Sequence, residues 1–198
     1  MSQGGLARLE RRAAMATLLA GRADDLLVVP GLGSTTWDLA ALGDDPRNFY
    51  LWGAMGGAAL MGLGLALAQP SRRVLVITGD GEQLMGMGGL ATIAVQRPPN
   101  LALVILDNER YGETGQQRTH TASGTDLAAV AKACGIAQAQ LFTRTDELDA
   151  LCGLVQHAPG PVCAVVKVSA APDPPAALPP RDGHYLKDRF RQALLGGA

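Results

Sequence analysis

The sequence contains few of the residues that mark disulfide-rich or zinc-binding domains. Only three of its 198 residues are cysteines, Cys134, Cys152 and Cys163, and they form no Cys-x-x-Cys pair and no cluster with histidine. This pattern argues against a disulfide framework and a structural zinc site, and it is typical of a reducing cytoplasm. We therefore predict a cytoplasmic protein in which each cysteine serves as a small buried apolar residue.

An excess of charge of one sign is also missing. The formal net charge is −1, charged residues make up 18% of the chain, and no basic block occurs. Nucleic-acid binding through neutralisation of phosphates requires such a block. We expect no nucleic-acid partner.

Long apolar runs are absent as well. The most apolar stretch, residues 53–68, has 16 residues, five of them glycine, whereas a membrane span needs about 20. The arginine-rich start of the chain, which also holds Glu10, lacks the apolar core of a secretory signal. We expect neither a membrane span nor a signal peptide, and we predict that residues 53–68 include a tightly packed buried helix.

The remaining sequence alternates strand-like and helix-like segments. Hydrophobic residues make up 47% of the chain, enough for a sizeable core. Continuous apolar runs that alternate with helical patterns are typical of a parallel sheet covered on both faces. We predict an α/β fold, a three-layer α/β/α sandwich with a mainly parallel central sheet, over residues 1–170. A Pro-rich arm and a C-terminal helix would follow over 171–198. The predicted strands are 25–30, 72–81, 100–108 and 160–169, and the predicted helices are 5–20, 34–42, 54–68, 83–96, 125–134, 145–158 and 184–195.

Two polar turns follow neighbouring predicted strands. Gly79-Asp80-Gly81 ends one strand and Asp107-Asn108 ends the next. Because ligands bind at the carboxyl ends of parallel strands, both turns belong to one crevice. Carboxylate and carboxamide oxygens suit Mg²⁺, which is usually shared with a phosphorylated ligand. A helix that starts near Glu82 would point its positive end at the same place.

The combination of Gly-Asp-Gly with an asparagine 28 positions after Asp80 resembles the cofactor-binding signature of thiamine diphosphate-dependent enzymes. The resemblance covers roughly residues 20–170 and matches the pyrophosphate-binding domain. It is strongest to the separate β subunits of sulfopyruvate and phosphonopyruvate decarboxylases. The stretches that carry it are "ALGDDPRNFYLWGAMG", "GLGLALAQPSRRVLVITGDG", "GLATIA", "LDNERYGETGQQ" and "LPPRDG".

The resemblance implies a Mg²⁺ site and a diphosphate site. Asp80 and Asn108 would ligate the metal through their side chains, and Arg110 would do so through its backbone carbonyl. The diphosphate would be held largely by backbone donors, from the residues Gly79, Gly81, Glu82 and Tyr111 on one side and Gly33, Ser34 and Thr35 on the other. Glu82 stands where the family often has serine, so its carboxylate must point away from a diphosphate or pair with a cation.

The stretch Gly53-Ala54-Met55-Gly56 matches the family motif that lies under the aminopyrimidine ring. Met55 would be the apolar wedge that bends the cofactor, and the carbonyl of Gly53 would accept a hydrogen bond from its 4′-amino group. The bend brings that amino group close to the thiazolium carbon whose proton it removes.

Residue chemistry alone leaves some of these assignments open. Met55 is also compatible with an ordinary core methionine, and Ser34 with a helix cap that needs no ligand. His120 follows the second turn and is either a proton donor to substrate or a solvated loop histidine. Arg110, Arg118 and Arg181 are candidates for binding a sulfonate or phosphonate group.

The resemblance also implies an incomplete active site. The glutamate that protonates the pyrimidine ring comes, in this family, from a second domain, for which residues 1–50 offer no room. We expect a separate α subunit, a hetero-oligomer such as a heterotetramer, and a small 2-oxo acid substrate. The implied function is that of a decarboxylase β subunit. Alternatives are an acetolactate synthase-like carboligase subunit and a non-catalytic cofactor-binding subunit. A dinucleotide-binding module is disfavoured because Thr36 replaces the third glycine of its motif.

Overall fold

The computed structural model describes residues 8–171, 174 and 178–196. The described part of the chain contains eight α-helices: α1 (Arg11–Leu19), α2 (Ser34–Ala41), α3 (Ala58–Ala68), α4 (Asp80–Met85), α5 (Gly89–Gln96), α6 (Leu127–Ala133), α7 (Leu148–His157) and α8 (Gly183–Leu195). The strands are β1 (Leu27–Pro30), β2 (Val74–Gly79), β3 (Leu101–Asp107), β4 (Arg110–Tyr111), β5 (Gln117–Arg118), β6 (Gln138–Phe142) and β7 (Val162–Lys167).

Five of the strands form one parallel sheet in the order β1-β2-β3-β7-β6. β4 and β5 pair separately as a short antiparallel ribbon. The predicted α/β architecture with its mainly parallel central sheet is confirmed.

Helices cover both faces of this sheet. Strand residues alternate between two buried clusters, as the two-residue period of a strand requires. In β3, for example, Leu103 and Ile105 join the cluster under α3, α5 and α6, whereas Val104 and Leu106 join the cluster under α1, α2 and α7. Two-sided burial is the reason that the central strands read as continuous apolar runs.

The chain leaves neighbouring strands toward opposite faces of the sheet. After β1 it enters α2, which packs in one cluster through Leu39, and after β2 it enters α4 and α5, which pack in the other through Leu90 and Ile93. This divergence opens a crevice at the carboxyl ends of β1 and β2, although the strand order does not reverse there.

Several predicted elements have different bounds. The helix expected from residue 54 begins at Ala58, because Gly53 and Gly56 have positive φ values of 73° and 91° and form a turn. The helix expected over 83–96 is divided into α4 and α5 at Gly86–Gly88. Ser34 is not a cap, since α2 begins at Ser34 itself after Gly33.

The edge strand β6 was not predicted. Only Ala139 and Phe142 of its five residues are buried, and Gln138 and Gln140 are polar, so it lacks the apolar run that marked the central strands. The cysteines also differ from expectation. Cys163 is fully buried in the core, whereas Cys134 and Cys152 are partly exposed.

The C-terminal segment is attached to the sheet domain by a few specific contacts. The Trp52 indole N–H donates to the Pro180 carbonyl at 2.9 Å, and the Arg181 guanidinium lies 4.9 Å from the centre of the Trp52 ring. Parts of the Pro-rich arm, residues 172–173 and 175–177, lie outside the described residues. Across the described chain no helix is both long and apolar enough to cross a bilayer.

Candidate active site

A cleft of about 280 Å³ opens at the carboxyl ends of β1, β2 and β3. The structure brings most of the predicted site residues into its wall: Gly33, Ser34, Thr35, Met55, Gly79, Asp80, Gly81, Glu82, Asn108, Arg110 and Tyr111. Three predicted residues, Gly53, Ala54 and His120, are exposed and do not line it.

Asp80 lies at the base of the cleft, at the first position of α4, and its side chain is 1% exposed. Its Oδ2 atom accepts hydrogen bonds from the hydroxyls of Thr119 at 2.5 Å and Thr121 at 3.2 Å. Burial raises the pKa of Asp80 to about 6, the two hydroxyls oppose this shift, and the neighbouring Asp107 carboxylate adds to it. The site therefore holds a desolvated carboxylate that a cation would stabilise.

Asp107 is equally buried, but it is paired with a lysine side chain. Its Oδ2 atom lies 2.7 Å from Lys167 Nζ, which also lies 2.9 Å from Glu109 Oε1. No lysine, arginine or histidine forms such a pair with Asp80 among residues 8–171, 174 and 178–196. Of the two neighbouring acids, Asp80 is the one whose charge remains uncompensated.

Asn108 forms a tight turn at the end of β3. Its Oδ1 atom accepts the backbone N–H of Arg110 at 3.0 Å, and Glu109 between them has a positive φ of 62°. A carboxamide oxygen has two lone pairs, so Oδ1 retains one for a metal ion. The described residues contain no group of three or more His, Cys, Asp or Glu side chains positioned to hold a metal. A metal here would depend on backbone, carboxamide and cofactor oxygens.

The Glu82 side chain is directed toward the loop after β1. Its Oε2 atom accepts the backbone N–H of Leu32 at 2.8 Å, and a Cβ at Gly31 would approach that oxygen to 1.9 Å. Burial raises the pKa of Glu82, and the hydrogen bond from the Leu32 N–H opposes this shift. Oε2 is thereby bound by a protein donor, whereas the buried Oε1 atom has no hydrogen-bond partner among the described residues.

The first turn of α2 forms the opposite wall. Gly33 has a positive φ of 76°, which glycine adopts without strain. The hydroxyls of Thr35 and Thr36 both donate to the Gly31 carbonyl, at 2.9 and 2.7 Å. The first N–H groups of a helix have no partners within the helix. Binding of an anion by these backbone donors stays a prediction, and the Thr35 hydroxyl is already bonded to the Gly31 carbonyl.

Close glycine contacts hold the Gly53–Gly56 turn and Tyr111 in place. A Cβ at Gly86 would approach the Gly56 carbonyl oxygen to 2.2 Å, and a Cβ at Gly81 would approach the Tyr111 ring to 2.5 Å.

Met55 is 38% exposed and lines the cleft. This excludes the alternative in which Met55 is a core residue.

Several cleft residues were not identified from sequence. Arg11, on α1, is 8% exposed, pairs with the fully buried Asp38, and lines the cleft. Thr119 and Thr121 bind Asp80 from the loop after β5. The Thr-x-Thr spacing was the only available signal, because these contacts join positions about 40 residues apart.

Comparisons with known proteins agree with this geometry. Residues 31–166 match the thiamine pyrophosphate enzyme family, at its C-terminal TPP-binding domain. The chain is 44% identical over 178 residues to the sulfopyruvate decarboxylase subunit beta of Methanothermobacter thermautotrophicus, covering 90% of this chain and 92% of that subunit. It is 46% identical over 146 residues to the phosphonopyruvate decarboxylase of Streptomyces viridochromogenes, covering 73% of this chain but only 36% of that enzyme.

The fold is shared with solved structures of lower identity. Benzoylformate decarboxylase from Polynucleobacter necessarius superposes with a TM-score of 0.68 at 21% identity, over 84% of this chain and 34% of that chain. Together with the match over residues 31–166, the relatives establish that the chain belongs to the thiamine pyrophosphate enzyme family and contains its C-terminal TPP-binding domain.

Proposed function

We propose that this chain is the β subunit of a thiamine diphosphate- and Mg²⁺-dependent 2-oxo acid decarboxylase of the sulfopyruvate or phosphonopyruvate type. The observation that carries the proposal is the cleft in which Asp80, Asn108 and Met55 meet. Its support from comparison is the 44% identity to a β subunit of almost the same length.

The metal would bind between the two strand ends. Asp80 and Asn108 would offer side-chain oxygens and Arg110 its backbone carbonyl, while diphosphate oxygens and water would complete the octahedron. The uncompensated charge of Asp80 fits this role, because a divalent cation would offset the unfavourable burial of its carboxylate.

The two walls of the cleft would hold the diphosphate. Backbone N–H groups at the start of α2 and α4 would bind its oxygens, as helix N-termini bind phosphates. Met55 would support the cofactor from the third side and fix its shape. The bound cofactor supplies an electron sink for the carbanion formed when CO₂ leaves. The residues of this chain bind it, orient it and exclude water.

The substrate class is compatible with the charges in the cleft. Arg110 lines it, whereas the Arg118 guanidinium donates to the Ala122 carbonyl and that of Arg181 stacks on Trp37 and Trp52. Of the three arginines predicted from sequence, Arg110 is therefore our candidate for binding a sulfonate or phosphonate.

We further propose that an α subunit completes the site. Of the described cleft carboxylates, Asp80 is the proposed metal ligand, Glu82 accepts the Leu32 N–H and Glu113 lies against Gly33 on the diphosphate side. We assign protonation of the pyrimidine to none of them. Several apolar side chains on and near α3 and α4 are exposed. We call this set the methionine face: Met55, Leu60, Met61, Met85 and Met87, which are 38–63% exposed. This surface fits a protein partner.

The test is to purify the tagged chain from its native cells, identify co-purifying subunits, and assay decarboxylation of sulfopyruvate, phosphonopyruvate and pyruvate. We expect a partner of similar length and CO₂ release that needs both subunits and Mg²⁺. Ordinary enzyme rates from this chain alone would refute the divided site. Acetolactate-type products would indicate a carboligase, and cofactor binding without turnover by the assembled complex would indicate a non-catalytic subunit.

A further inference from the structure

We propose that Thr119 and Thr121 are positioning residues for the metal site: their hydroxyls fix the Asp80 carboxylate so that one of its oxygens is held by the protein and the other faces the cation. This inference rests on the proposed function, because it assigns a role to residues around the proposed metal ligand.

The first observation is that both hydroxyls approach the same oxygen. Thr119 Oγ1 lies 2.5 Å and Thr121 Oγ1 lies 3.2 Å from Asp80 Oδ2. Oδ1 receives no hydrogen bond from another residue within 8–171, 174 and 178–196. A carboxylate bound at one oxygen keeps a fixed orientation, which leaves the other oxygen as a monodentate ligand.

The second observation is the burial of the two hydroxyls. Thr119 is 2% exposed and Thr121 is 5% exposed. Without them, Oδ2 of a buried carboxylate would lack donors, which is costly in a site closed to water. The hydroxyls thus satisfy Oδ2 and hold the carboxylate in one orientation.

The third observation is that Thr121 links the two buried acids. Its hydroxyl lies 2.8 Å from Asp107 Oδ1 and 2.9 Å from the Thr119 hydroxyl. Each threonine has one hydroxyl proton, so Thr119 can donate to Asp80 while Thr121 donates either to Asp80 or to Asp107. Lys167 then neutralises Asp107, and the charge of Asp80 is left for the metal. Outer-layer hydrogen bonds of this kind typically affect metal affinity 10- to 100-fold.

The experiment measures Mn²⁺ binding, in the presence of thiamine diphosphate, from the electron paramagnetic resonance signal of free Mn²⁺. The protein is the full chain with any subunit that co-purifies. Thr119→Val and Thr121→Val remove each hydroxyl at nearly constant volume, and Thr119→Ser and Thr121→Ser keep it. Thr17→Val is the matched control, because the Thr17 hydroxyl bonds the Ala13 carbonyl within α1 and Thr17 does not line the cleft.

We expect each valine variant to weaken Mn²⁺ binding by about tenfold or more, each serine variant to remain within about threefold of the wild type, and Thr17→Val to bind normally. Unchanged Mn²⁺ affinity in both valine variants would overturn the inference and leave the proposed function intact. Serine variants as weak as the valine variants would also overturn it, because packing would then be responsible. Absence of Mn²⁺ binding by the wild type would overturn the metal assignment and this inference together.

Discussion

The Glu82 carboxylate accepts the backbone N–H of Leu32 at 2.8 Å, and it occupies the space directly above Gly31. One side chain therefore connects the start of α4 to the loop after β1, and these two segments form opposite walls of the cleft. Glycine at position 31 is required by this arrangement, because any Cβ there would collide with the carboxylate.

A double-mutant cycle tests this contact. Gly31→Ala should lower the free energy of unfolding by about 2 kcal/mol, because the new methyl group displaces a buried carboxylate. In a Glu82→Ala background the same change should cost less than half as much, since the shortest contact that remains is to the Thr78 hydroxyl, at 2.9 Å. The measurement is urea denaturation of the four proteins. Additive effects of the two substitutions would contradict the contact.

In the protein without cofactor, ionisation of Asp80 should lower the free energy of unfolding, which is the opposite of the usual effect of a carboxylate in a folded protein. Its pKa is raised to about 6 in the folded state, above the ordinary value of about 3.9, so the folded protein binds more protons between pH 4 and 6. Its free energy of unfolding should fall as pH rises through that window. Asp80→Asn removes this effect, and it should be more stable than the wild type at pH 7.5 by up to about 3 kcal/mol.

The same substitution should abolish Mg²⁺-dependent retention of thiamine diphosphate. Denaturation at pH 5 and pH 7.5, combined with cofactor binding measured by calorimetry, separates the two effects. If Asp80→Asn is no more stable than the wild type at pH 7.5, the conclusion that the Asp80 charge is uncompensated is wrong. If it retains the cofactor normally, the assignment of Asp80 as a metal ligand is wrong.

Met55 should matter for catalysis and little for folding. Because it is 38% exposed, Met55→Ala should change the free energy of unfolding by less than about 1 kcal/mol. Loss of the apolar support should lower kcat by about 100-fold in the assembled enzyme, through misplacement of the reacting groups. Met55→Leu, which keeps the bulk, is the control. A normal kcat for Met55→Ala would exclude the assigned role.

Gly86 and Gly88, which lie between α4 and α5, should differ in how well they tolerate substitution by alanine. A Cβ at Gly86 would lie 2.2 Å from the Gly56 carbonyl oxygen, whereas a Cβ at Gly88 would meet nothing within 4 Å. Gly86→Ala should destabilise the protein by about 2 kcal/mol or more. Gly88→Ala, at a helical φ of −60°, should be neutral or stabilise it by up to about 1 kcal/mol. Thermal unfolding of both variants distinguishes them, and equal effects would contradict the close approach of Gly56.

The elements that sequence predicted well are those with two-sided burial or a local motif. β2 and β3 are continuous apolar runs because both of their faces are covered, and Gly79-Asp80-Gly81 and Asn108 are adjacent to their ends. β6 was missed because an edge strand with polar residues such as Gln138 and Gln140 has no such run. The division of the predicted 83–96 helix was missed because it depends on Gly86 packing against Gly56, a contact 30 residues away in the chain.

Sequence alone determined the class of fold, the strand ends at which the candidate site lies, and the family, since these depend on local periodicity and on motifs of fixed spacing. The tertiary structure decided which charges are compensated. The pairing of Lys167 with Asp107, the donation by Thr119 and Thr121 to Asp80, the contact of Glu82 with Leu32 and the position of Arg11 in the cleft all join distant parts of the chain. The electrostatics of a buried site depend on three-dimensional distances and desolvation, which local sequence patterns do not contain.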